Sequence, residues 1–227
     1  MKRKRVFQIA AVVFGLIGAV VLGMTLYPLL SYELTSREKF PSLISPLVED
    51  RSDATQYDYT KASNWFIGGD KQANYSPPKV AYYTLTIPRL RIENATVTIG
   101  GEDLSESLIQ YPGTALPGKR GNSVIFGHSI LPSFYDPTDY IAIFSTLPTL
   151  EEGDEMYITY DGLDFTYVVE DMFEVYPTDI QVLEQNTTDS FVTLVTCTPP
   201  GHPQKPKRLI VRARVIPPEQ ANANTRT

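Results

Sequence analysis

The sequence predicts an all-β fold, a barrel with few and short helices, carried behind one membrane-spanning helix. Three observations support this. Short runs alternating apolar with polar residues recur beyond Lys79, turn residues punctuate them, and the first thirty residues hold a long uncharged stretch. The 227 residues and 42% apolar content suffice for one globular domain plus appendages. A second independent core would need roughly another hundred residues.

The N-terminal element comes first. Lys2, Arg3, Lys4 and Arg5 precede Val6 to Leu30, which contains no charge. At about 1.5 Å per residue this stretch reaches roughly 37 Å, enough to cross a hydrocarbon core of about 30 Å with some tilt. The basic cluster on its N-terminal side places the N-terminus in the cytoplasm and the remainder outside, by the positive-inside rule. A cleaved signal peptide is the alternative, but the apolar run is too long for one and no small-x-small site follows Leu26-Tyr27-Pro28. Residues 1–30 therefore read as a basic tip and single-pass anchor in the cell membrane.

Residues 31–79 are polar, broken by Pro41, Pro46, Pro77 and Pro78, and lack a sustained period. They read as a stalk or wrapping segment outside the membrane. Trp65-Phe66-Ile67 stands out there, since a lone Trp in a solvated linker is costly; it is expected to dock on the domain, a short helix being the other reading.

The domain spans 80–217. Tyr83, Leu85 and Ile87 alternate with Thr84 and Thr86; Met156, Ile158 and Tyr160 alternate up to Asp161-Gly162; Phe165, Tyr167 and Val169 resume beyond it. Asp-Gly suits the positive backbone angles of a type I′ turn, so this pair reads as a hairpin. Val124 to Phe126, Phe191 to Val195, and Leu209 to Val215 with Arg212 and Arg214 on its other face, are further strand-like runs. Leu104 to Ile109 is the one window expected to be helical, with a turn near Tyr140 to Leu147. Residues 218–227 form a polar tail.

Charge narrows the partners. Four of the 20 Lys and Arg lie at positions 2–5, leaving 16 against 26 Asp and Glu after the anchor, a net of −10. Nucleic acid is not an expected partner.

Cys197 is the only cysteine. A lone thiol in an exported chain is a buried spectator, an intermolecular link or a reactive group. It ends the run Phe191 to Thr196 and precedes Thr198-Pro199-Pro200-Gly201, and since prolines do not continue a central strand, the sulfur is expected at an exposed rim. A thiol nucleophile needs a base or cation beside it. His128, which ends Ser123 to Gly127, and His202, in the Pro-rich turn, are equal candidates on these grounds. Lys205, Lys207 and Arg208 open the last strand, where a guanidinium can hold a carbonyl or oxyanion; the alternative is a solvated basic cluster. One Cys and two His exclude an ordinary zinc site, no cofactor is expected, and Glu151, Glu152, Asp154 and Glu155 read as a solvated face.

Thr193-Leu194-Val195-Thr196-Cys197 resembles the TLxTC nucleophile motif of sortases, and Arg208-Leu209-Ile210-Val211 resembles the family's catalytic arginine and the strand behind it. Tyr111 to Gly118 and Gly121 to Ser129 resemble the segment leading to the family's histidine, Leu85 to Pro88 its early strand, and Val175 to Asp179 the turn before the nucleophile strand. The likeness runs from Tyr82 to Pro217 in order. It implies a closed barrel of about eight strands and a cysteine transpeptidase or endopeptidase. Cys197 would be the nucleophile, His128 rather than His202 the acid and base, and Arg208 rather than Arg212 or Arg214 the carbonyl donor. Thr196 would orient Arg208 or the substrate, or serve only the strand. The implied partners are secreted proteins bearing an LPxTG-like sorting signal and an amine acceptor on a peptidoglycan precursor or pilin. Lacking an Asp-Pro-aromatic motif before the barrel, the chain looks closer to class D or E than to the lidded pilin-polymerising class C. An L,D-transpeptidase is disfavoured, because Pro199 stands where that pattern has Arg. A non-catalytic anchored β-domain is the other alternative.

Overall fold

A computed structural model describes residues 2–40, 58–66 and 78–217. Ile67, most of the expected stalk and the polar tail lie outside them. The chain divides into two units, Met1–Lys39 and Phe40–Thr227. The first is helix α1, Lys2–Lys39. It continues past Leu30 because Ser31 to Lys39 contains neither Gly nor Pro, and Pro28 sits inside it with the freed turn taken up by the Ser31 hydroxyl, which donates to the Pro28 carbonyl at 3.1 Å. The stretch Phe7–Ser36 is long and apolar enough to cross a membrane.

The second unit holds a closed barrel of eight strands: β1 Tyr82–Ile87, β2 Ile92–Ile99, β3 Leu108–Gln110, β4 Gly121–Phe126, β5 Glu155–Tyr160, β6 Leu163–Val175, β7 Ser190–Thr198 and β8 Lys207–Val215. Around the barrel the order is β1, β2, β3, β4, β7, β8, β6, β5. The β2–β3 and β4–β7 pairs are parallel and the others antiparallel. Closure leaves no free edge on the sheet.

The strands form where the sequence alternates. Tyr83, Leu85 and Ile87 are buried while Tyr82, Thr84 and Thr86 are not. Asp161 and Gly162 both have positive φ, 50° and 74°, and join β5 to β6 as the dipeptide requires. β6 is long enough to pair with β5 through its first half and with β8 through its second.

The expected helix at Leu104 to Ile109 is not there. Leu108 and Ile109 belong to β3, between β2 and β4, and the residues before them form turns. The Asp103 carboxylate accepts from the backbone N–H and the hydroxyl of Ser105, at 2.8 and 2.6 Å, which offers the chain a turn in place of a helical start. Six residues are also too few to sustain a helix without help.

β7 is buried at all nine positions. Val192, Leu194 and Thr196 alternate with Val195 and Cys197, and the second set packs with Val124, Phe126, Val175 and Ile210. On β8 the residues alternating with Leu209, Val211 and Ala213 include the half-exposed Arg214, so Leu209 and its set face the barrel interior while Arg208 and Ile210 face outward. The outward apolar stripe around Cys197 is dry because a separate piece of chain lies on it.

Candidate active site

Strand pairing brings the three motif residues together. Cys197 on β7 lies directly across from Arg208 on β8 in the antiparallel ladder. β4 runs parallel to β7 with Phe126 opposite Val195, so its C-terminal end delivers His128 to the end of β7 that carries Cys197. Three further bonds fix that junction. The Gly127 N–H donates to the Val195 carbonyl at 3.1 Å, the Thr196 hydroxyl to the Gly127 carbonyl at 2.8 Å, and the Ser129 hydroxyl to the Cys197 carbonyl at 2.7 Å. Gly127 has to be glycine, because a Cβ there would lie 2.4 Å from the Phe144 ring.

Two expectations change. Cys197 is not exposed at a rim: β7 continues through it to Thr198, and the residue is 1% accessible. The Thr196 hydroxyl is spent on Gly127, on the strand face opposite the thiol, so the structure gives it a scaffold contact and does not bring it to Arg208. His202 sits in the turn after Gly201, its Nδ1 accepting from the Gln204 N–H at 3.1 Å. Arg212 and Arg214 lie further along β8, opposite Thr193 and Phe191.

Tyr59 to Phe66 covers the site. Trp65 is fully buried, stacked on Phe126 with centroids 5.2 Å apart, and its ring lies 5.8 Å from that of His128. Its carbonyl accepts a bond from Arg208 Nε at 3.2 Å. The guanidinium is held between the Tyr59 and Trp65 rings, 5.1 and 5.5 Å from their centroids. Arg208 Nη1 donates to the carbonyls of Lys205 and Lys207 at 2.9 and 3.0 Å, while Nη2, also buried, has no hydrogen-bond partner among the described residues. A neighbouring turn holds the segment: the Ala62 N–H donates to the Glu102 carbonyl and the Leu104 N–H to that of Thr60, both at 3.0 Å. The docking expected of Trp65-Phe66 is thus seen for both residues; Tyr59 carried no sequence signal of its own.

His128 is 5% exposed, and burial pushes its pKa from 6.5 down to about 4, with the Lys205 ammonium adding to the shift and Asp103 and Asp58 opposing it. The imidazole is therefore neutral near pH 7 and able to take a proton. Thiol, neutral imidazole and guanidinium together suit acyl transfer: a nucleophile, a base, and a donor for a developing oxyanion.

A sequence-family model described as the Sortase domain matches residues 85–216, more than half of the chain. The chain belongs to the sortase family. Sortases are cysteine transpeptidases of the cell envelope, and the single cysteine meets that chemistry's first requirement. Sortase A of Bacillus anthracis is 22% identical over 206 residues, covering 87% of this chain and 89% of its own. Among solved structures, a Sortase D5 transpeptidase of Clostridium perfringens superposes with a TM-score of 0.51 at 28% identity, over 60% of this chain and 79% of that one. A pilus-related Sortase C of Group B Streptococcus superposes at 0.53 and 27%, over 63% and 70%. The sortases it resembles thus come from several classes.

Proposed function

We propose that this sortase cleaves an LPxTG-like sorting signal through a thioester on Cys197 and joins the freed carboxyl to a cell-envelope amine. The observation that carries this reading is the direct cross-strand pairing of Cys197 with Arg208 at the end of β7 that His128 adjoins. His128 takes the thiol proton, and sulfur attacks the backbone carbonyl of the signal's Thr. The C–N bond breaks, and His128 returns the proton to the departing amine. The incoming amine then attacks the thioester carbon, loses a proton to His128, and the C–S bond breaks with the thiol restored. Arg208 donates to the carbonyl oxygen at both stages, a kind of contact worth roughly 3 kcal/mol where single oxyanion donors have been removed.

A peptide cannot reach these groups beneath Trp65, so binding requires the Tyr59 to Phe66 segment to leave. Its departure frees Arg208 Nε from the Trp65 carbonyl and makes it available to a substrate carbonyl. Residues 7–36 anchor the enzyme with its N-terminus in the cytoplasm and its barrel outside, where both exported substrate and wall or pilin amine are met.

The test is turnover of a fluorogenic LPxTG peptide with hydroxylamine or a short amine acceptor. Cleavage after Thr with amine incorporation is expected for the full chain. Loss of turnover is expected for Cys197→Ala, His128→Ala and Arg208→Ala, each with its fold intact by circular dichroism. Full activity of the His128 variant would refute the mechanism.

A further inference from the structure

Glu174 is buried at 3% exposure, on the interior-facing set of β6, and the chemistry above does not use it. Its Oε1 accepts from the Thr198 hydroxyl at 3.0 Å and its Oε2 from Lys207 Nζ at 2.8 Å. Thr198 follows the nucleophile, Lys207 precedes the arginine, and Thr198 opposite Lys207 is the last rung of the β7–β8 ladder. Beyond it the strands part into the 199–206 loop. Cys197 and Arg208 therefore occupy the next-to-last rung of an open ladder end, where strands fray most easily.

We propose that Glu174 is a positioning residue, a carboxylate that ties the last rung and thereby fixes the nucleophile and the arginine. One arm holds Thr198 and so the backbone of Cys197. The other holds Lys207, whose carbonyl receives Arg208 Nη1 at 3.0 Å, so the guanidinium leans on a peptide group that the carboxylate restrains. An ion pair inside a barrel costs desolvation that an apolar pair would avoid, and the return here is geometric definition at the site. β6 is itself paired to β8, with Val175 opposite Arg208 and Glu174 opposite Leu209, so the brace is built on the neighbouring strand rather than on a loop.

This inference rests on the transpeptidase reading for its catalytic arm only. The experiment compares the full chain with Glu174→Gln, Lys207→Met and the double variant, in two assays run well below each melting temperature. Sorting-peptide turnover should fall about tenfold in kcat with KM changed less than threefold, as expected for misplaced reacting groups. Iodoacetamide should modify Cys197 about tenfold faster, since a frayed rung exposes it. The double variant should lose no more than the worse single one. Glu174→Gln with kcat and alkylation rate both unchanged, whatever its melting temperature, overturns the proposal. If the wild-type chain turns over no sorting peptide, the transpeptidase reading fails and the alkylation comparison alone decides the brace: faster modification sustains it, an unchanged rate ends it.

Discussion

At the scale of single residues, the covered site gives His128 a measurable signature. In the unfolded chain the imidazole titrates near its ordinary 6.5, whereas in the folded chain burial holds it near 4. Between these values the unfolded state binds the extra proton, so stability is unaffected above pH 6.5 and declines as pH falls towards 4, by up to about 3 kcal/mol. Thermal melts from pH 7 to pH 4 should show this decline, and His128→Gln should flatten it. A slope identical in both proteins would place the titration elsewhere. Thr196→Val separates scaffold from chemistry: losing the bond to the Gly127 carbonyl should lower stability by about 1 to 3 kcal/mol, read by denaturant unfolding. Of these residues, Cys197, His128 and Arg208 were legible from their motifs. Glu174 was not, because a lone acid between Phe173 and Val175 shows its value only when Thr198 and Lys207 are seen beside it.

At the scale of elements, the cover is a piece of chain with little structure of its own, one short 3₁₀ turn at Ala62–Asn64, held by aromatic packing and two backbone bonds to a turn. Ala62 is 2% exposed. Trp65→Ala and, independently, Ala62→Glu should lift the segment while leaving the barrel ladder untouched, since neither residue belongs to a strand. The expected result is faster iodoacetamide modification of Cys197, by about tenfold or more, with a melting temperature within several degrees of wild type. An unchanged rate in both variants would mean that the segment does not gate the thiol. Strands β1, β5 and β6 could be read from alternation and the Asp161-Gly162 turn. β3 could not: three consecutive buried residues have no period, and Leu104 to Ile109 looked helical because its apolar spacing cannot report that two other strands will pair with it. The rim placement of Cys197 failed for a related reason. Prolines do end the strand soon after it, but the burial comes from residues more than 130 positions earlier in the chain.

At the scale of the whole molecule, a membrane-crossing helix and a closed barrel were both visible in the sequence, the first from 25 uncharged residues, the second from recurrent short strands and the family motifs. Orientation is the untested part of that picture. With the N-terminus cytoplasmic, protease added to intact cells should degrade the barrel and spare an N-terminal tag; a tag lost with the barrel intact would reverse the topology. The central claim is covalent chemistry on one sulfur, and intact-protein mass spectrometry of the full chain incubated with a library of sorting-signal peptides tests it most directly. A mass increase equal to the acyl fragment, located on Cys197 and absent in Cys197→Ala, is the predicted result. No adduct with any peptide, from a chain whose thiol still reacts with iodoacetamide, would contradict it.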